Sequence, residues 1–198
     1  MGNVSSSPVF KTANPGPLGL AGFGLTTVVL SCVNGGILPP AAAAAVVPLA
    51  FAYGGIAQLI AGWLEFKTGN TFGMVAFTSY GLFWWWFAFL KWTVGAGWLA
   101  TPPASGVAFT LLMWGVFTFL LWIVSFRLNK GVWSIFLLLS VTFFLLAAGD
   151  FGYASCGKLG GYVGIVTGID ALVVAFIEVL NATAGRIVIS LGQPLIQD

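Results

Sequence analysis

Few side chains in this sequence can do chemistry, and those that can are mostly carboxylates, amides and hydroxyls. Five acids face seven basic residues, with no histidine and two cysteines, Cys32 and Cys156. Asp170 is the acid most out of place. It falls midway along an apolar run, where an acid costs about 2.5–3.5 kcal/mol on insertion scales. Acids so placed face a cavity or a partner, which makes Asp170 a candidate for proton handling along a path; a hydrogen-bonded structural acid between subunits is the alternative. Glu65 and Glu178 fall near the predicted inner ends of their apolar runs, where water reaches them, and Asp150 lies near the outer end of the fifth.

The uncharged polar groups are the second set. Gln58 lies in the middle of one run, Thr78, Ser79 and Tyr80 in the next, and Thr26 and Thr27 in the first. A small polar solute could take hydrogen bonds from them; hydrogen bonding between helices accounts for them equally, at about 0.6 kcal/mol each. The segment Asn14-Pro15-Gly16-Pro17-Leu18-Gly19-Leu20 reads as a helix start, because proline is tolerated at the first helical position. Its unpaired N–H groups could hold a carboxylate, although a plain helix start explains the same residues. Without histidine there is no His-containing triad, His-bound metal or ammonia-pore histidine pair, and two cysteines cannot build a four-cysteine zinc site. No GxxxxGK[ST] loop is present, so ATP-driven transport has no support, and no nucleophile–base constellation points to an enzyme. No cofactor is expected, and a net charge of +2 is too small to argue for nucleic acid.

The elements that position these groups follow from composition. Of the 198 residues, 59% are hydrophobic and 6% charged, against about 25% charged in a soluble domain. So small a chain cannot hide that much apolar surface in one core, so this is an integral membrane protein. Six stretches come near the ~20 apolar residues that cross a bilayer: 18–33, 44–64, 72–90, 106–126, 132–149 and 159–180. Their apolar runs lack the period-two alternation of barrel strands, so helices are expected. Asn34-Gly35-Gly36, Pro39-Pro40, Lys67-Thr68-Gly69-Asn70, Thr101-Pro102-Pro103 and the 127–131 turn punctuate them. With the N-terminus inside, the inner face carries Lys11, Lys67, Arg127, Lys130 and Arg186; the outer face carries Lys91 and Lys158. The positive-inside rule therefore puts both termini in the cytoplasm, at the plasma membrane. The expected division is a cytoplasmic arm over 1–17, a six-helix domain over 18–185 and a cytoplasmic tail over 186–198.

Several features have plain explanations. Trp84, Trp85, Trp86, Trp92 and Trp98 form an outer aromatic belt. Gly157, Gly160, Gly161, Gly164 and Gly168 let a neighbouring backbone approach, and small residues can equally leave room for a solute. Cys32 and Cys156 are expected as free thiols, with a disulfide conceivable. Residues 1–17 lack a signal-peptide pattern, and the Met1-Gly2…Ser6 match to a myristoylation site is superfluous beside six spans.

Two segments together carry a resemblance. Asn14–Leu20 (NPGPLGL) resembles the NPxPLGL signature of the acetate uptake transporters, also called succinate–acetate permeases. Residues 51–84, FAYGGIAQLIAGWLEFKTGNTFGMVAFTSYGLFW, are similar to that family's YGGxAQxxAGxxE…GNTFGxxAFxSYGxFW pattern. Trp114-Gly115-Val116-Phe117-Thr118 and Glu178-Val179-Leu180-Asn181 fit as well. The resemblance implies a six-helix bundle like that of the bacterial urea channels, assembled as a homohexamer with a path for acetate in each protomer. It implies a constriction of Phe23 in LGLAGFG, Tyr80 in AFTSYG and a leucine of the fifth helix, Leu139 or its neighbour Leu138. It also implies proton-coupled transport, although a channel description exists for the family.

The resulting expectation is a transporter of acetate and related small carboxylates, succinate among the candidates. Asn14, Pro15, Gly16, Pro17, Thr26 and Gln58 are its candidate binding residues, Asp170 its candidate proton site, and the partners are the acid, protons and lipid. The alternatives are a passive channel for acetate or for urea or ammonia, and a membrane sensor, for which the tails are too short.

Overall fold

The computed structural model describes residues 12–197; the Met1-Gly2 motif and Lys11 lie outside them. The described residues form six long apolar helices and no strand. They are α1 (Gly16–Asn34), α2 (Pro40–Thr68), α3 (Thr71–Gly95), α4 (Ala104–Ser125), α5 (Lys130–Asp150) and α6 (Ala154–Ala184). All six expected spans are present, each extended at one or both ends. The chain is a multi-pass membrane protein.

Local chemistry sets the boundaries. Pro15 and Pro17 flank the start of α1, where the first N–H groups have no helical partner in any case. The side-chain carbonyls of Asn70 and Asn129 cap α3 and α5, accepting from Gly73 N at 3.1 Å and Val132 N at 2.9 Å. Gly69, with φ at +79°, turns the chain between α2 and α3, a conformation that only glycine adopts without strain. Within α2, Pro48 removes a helical donor, and residues Ala50–Ala57 follow in a wider, π-helical winding that contains Gly54-Gly55. Proline, glycine pairs and π turns are the usual causes of a bent helix.

α1 packs against α2 and α6, α6 against α5, α5 against α4, and α2 against α3. α1 and α6 meet backbone to backbone. A Cβ on Gly24 would stand 2.7 Å from the carbonyl oxygen of Gly168, and a Cβ on Gly168 equally close to that of Gly24. The outward faces present Ile60, Trp63, Leu120, Ile123, Val166 and Phe176, side chains suited to lipid or to neighbouring copies. Cys32 and Cys156 are free thiols.

α3 and α4 are joined differently. Between them lies an aromatic filling, with Phe83 and Trp114 rings 5.2 Å apart and Tyr80 and Phe117 5.9 Å apart. The tail after α6 folds back over the end of the bundle where α1 starts, the end expected to face inward. Asn181 accepts from Val188 N and Ile189 N and donates to Ile189 O, while Leu195 N and Ile196 N reach Phe126 O.

Candidate functional site

Two cavities enter the bundle from opposite ends. The inner one holds about 250 Å3 and is walled by Leu20, Phe23, Ala76, Tyr80, Phe136 and Leu139 among others. The outer one holds about 780 Å3 and is walled by Leu30, Phe83, Phe87, Lys91, Leu146 and Lys158 among others. Most of both linings comes from the odd-numbered helices α1, α3 and α5.

The register of those three helices defines what separates the cavities. On α1 the wall passes from Phe23 inside to Leu30 outside, on α5 from Leu139 to Leu146, and on α3 from Tyr80 to Phe83. The steps on α1 and α5 are two helical turns, so the partition is about 10 Å thick there at 1.5 Å per residue, and the step on α3 is about one turn. The partition is aromatic and tight. Phe23 and Tyr80 rings lie 5.9 Å apart, Tyr80 and Phe136 6.1 Å, and Phe83 and Phe143 5.2 Å. Phe23, Tyr80 and Leu139 are all buried and share the inner cavity wall, so the three residues of the implied constriction converge.

Tyr80 is held by its hydroxyl. Thr118 donates to Trp114 O at 2.7 Å, leaving its oxygen to accept the Tyr80 hydroxyl at 2.9 Å. This bond spans the α3–α4 gap and fixes the ring in place. Nothing in the sequence pairs the two, although Thr118 falls in one of the segments that carried the resemblance.

At its mouth the inner cavity is polar. Asn14 donates to Glu178 Oε2 at 3.1 Å and accepts from Gly16 N at 3.0 Å. Glu65 accepts from Asn70 at 2.9 Å and from Thr68 at 3.3 Å. A Cβ on Gly16 would lie 3.1 Å from Glu178 Oε2 and 3.6 Å from Glu65 Oε1, so two carboxylates crowd the first turn of α1. The anion at this helix start is thus the protein's own, where the helix dipole favours it. The outer cavity has the opposite bias, with Lys91 and Lys158 against Asp150.

The remaining expected residues fall in three places. Asn14 and Gly16 line the inner cavity, whereas Pro15 and Pro17 only frame the helix start. Thr26 and Gln58 lie outside both walls. Their groups are spent on α1 and α2, Thr26 donating to Gly22 O at 2.8 Å and Gln58 to Gly54 O at 2.7 Å. Asp170 is also outside. It accepts from Ser134 at 2.7 Å in a shallow groove with Lys130, Trp133 and the tail residues Ser190 and Leu191, so it does not line the path expected for it. Glu65 and Glu178, expected only as water-accessible acids, are the carboxylates that face the inner cavity.

Residues 2–193 match the GPR1/FUN34/yaaH family. The chain belongs to that family. Among its relatives, the succinate-acetate/proton symporter SatP of Escherichia coli K12 is 40% identical over 184 residues, covering 92% of this chain and 97% of its own. The ammonia transport outward protein 2 of Saccharomyces cerevisiae is 38% identical over 195 residues, covering 92% of this chain and 64% of the yeast protein. A solved structure of the bacterial acetate channel SatP superposes with a TM-score of 0.88 at 39% identity, covering 92% of this chain and 100% of that one. The family's six-helix architecture is therefore the one observed here.

Proposed function

We propose that this chain carries acetate and related short carboxylic acids across the cell membrane, together with protons, through the path between its two cavities. One observation carries the reading: Phe23, Tyr80 and Leu139, from three different helices, share the wall of the inner cavity, and the same three helices line the outer one. Such a ring passes a methyl group and a carboxyl group in file and obstructs bulkier or more hydrated solutes. A relative matched along nearly its whole length, 97%, is the succinate-acetate/proton symporter, which favours carboxylic acids over ammonia. Lysines at the outer mouth gather anions there, and a proton picked up before the partition spares the cost of desolvating a charge. In this reading the proton exchanges at Glu65 and Glu178 on the inner side, not at Asp170. Six copies, packed through their apolar outer faces, each provide a separate path.

The test is labelled acetate flux into vesicles containing the purified protein, with and without an inward proton gradient. Accumulation above equilibrium is expected only with the gradient. Equilibration without accumulation would make the protein a channel, and no acetate flux, with ammonium flux instead, would overturn the reading.

A further inference from the structure

Two buried hydroxyls beside the partition have no hydrogen-bond partner, Thr27 on α1 and Ser140 on α5. Thr26, Thr93, Thr110, Thr118, Thr142 and Thr167 all donate to the carbonyl four residues earlier, at 2.7–2.9 Å. That is the usual way a transmembrane helix satisfies threonine. Thr27 does not follow them. Its Oγ1 is buried, with the residue 5% exposed, and has no hydrogen-bond partner. Buried polar groups are normally paired, so each exception calls for an explanation.

Its position supplies one. On α1, Gly16, Leu20 and Phe23 line the inner cavity, and Leu30 and Asn34 line the outer one. Thr27 follows Phe23 by four residues and precedes Leu30 by three, spacings that keep it on the same helical face. It therefore stands within the partition, at the level where α5 presents Phe143 and α3 presents Trp84, each four residues beyond its inner-wall residue. Thr26, one residue away, faces α2, and its hydroxyl is already used.

We infer that Thr27 is a binding residue for the cargo, its hydroxyl donating a hydrogen bond to the carboxyl group while that group crosses the partition. This deepens the function proposed above and rests on it. The cargo reaches Thr27 after passing the Phe23 and Tyr80 rings, where it has shed its water and meets mainly carbon. A free donor there matters more than several at a wet mouth, because unpaired polar groups are costly in an apolar setting. The hydroxyl donates equally to a carboxylate oxygen and to the carbonyl oxygen of the neutral acid. Binding by an aromatic wall and one hydroxyl is weak enough for release, as conduction requires.

The experiment compares Thr27→Val with Thr27→Ser in vesicles, by labelled acetate flux, and in detergent, by thermal unfolding. Valine keeps the shape and removes the donor, so acetate flux should fall about ten-fold or more, the worth of one hydrogen bond to a charged or desolvated group. Unfolding of the same variant should move to equal or higher temperature, because an unpaired buried hydroxyl has been removed. Serine should restore flux to within about three-fold of the parent, since the donor is retained. A residue needed only for packing would show the reverse, with serine the worse substitution and flux falling together with stability. Undiminished flux through a folded Thr27→Val protein would overturn the inference and leave the transport reading intact. A parent protein that moved no acetate would instead overturn the transport reading. Should valine fail to assemble, Thr27→Ala carries the same comparison against serine.

Discussion

Truncating Phe23 to alanine should relax discrimination by size before it unfolds the bundle. The Phe23 ring lies 5.9 Å from that of Tyr80 and is buried, with the inner cavity on one side of it. A fully enclosed phenylalanine costs about 3–5 kcal/mol on truncation. Phe23 has packing partners on only part of its surface, so about 2 kcal/mol is expected for the loss of stability. The effect on selectivity is set by the partition. Forcing one methylene too many into a packed ring costs about 1–3 kcal/mol, which is roughly 5- to 150-fold in rate. Removing the Phe23 ring leaves more than a methylene of space and abolishes that penalty for the next longer acid. The propionate-to-acetate flux ratio should therefore rise within that range, while acetate flux itself changes less. Competing fluxes of the two labelled acids in the same vesicles measure it, with thermal unfolding confirming that the variant is folded. An unchanged ratio in a folded protein would refute the placement of the constriction.

Three further outcomes follow from the geometry. Asn14→Ala removes both the donor to Glu178 and the acceptor for Gly16 N, at the cost of about 1 kcal/mol because Asn14 is exposed; thermal unfolding should register the loss, and acetate efflux from the inner side should slow as Glu178 swings free. Gly24→Ala would place a methyl 2.7 Å from Gly168 O and 2.9 Å from the Leu172 side chain. Such overpacking costs about 1–3 kcal/mol and should lower both unfolding temperature and flux, because α1 carries the lining of both cavities. Acetate uptake should climb as external pH falls toward about 4, where carboxylic acids become neutral, nearly ten-fold per unit above that value; a profile flat between pH 5 and 7 would show that the anion is the species moved.

The six spans were legible because hydropathy is a property of each segment alone, and Pro39-Pro40, Gly69 and Pro102-Pro103 mark their limits within the chain. The inward face of each span was not. A helix in a bilayer is apolar on every side, so the 3.6-residue period that identifies a buried face in a soluble protein carries little contrast. Thr26 and Thr27 show the consequence: they are adjacent and chemically alike, and only the packing of α1 on α2 separates them. Asp170 shows another, since an acid in mid-span invites a functional reading until Ser134 of α5 is found bonded to it. The Asn14–Glu178 bond joins residues 164 positions apart, a contact that no local pattern announces. The grouping of Phe23, Tyr80 and Leu139 on one cavity wall became legible only through motif resemblance, which carries tertiary information that composition lacks.

The thinness of the partition has an electrical consequence. Hydrocarbon in an ordinary bilayer is about 30 Å thick, but here the cavities bring both aqueous phases to within two helical turns of each other. The membrane voltage then drops across about 10 Å, and the local field is roughly threefold stronger. An acetate ion crossing that layer exchanges about 2.3 kcal/mol per 100 mV with the field, nearly all of it between Phe23 and Leu30. An uncharged acid exchanges none, so the current–voltage curve of these vesicles reports on the charge of whatever lies beside Thr27.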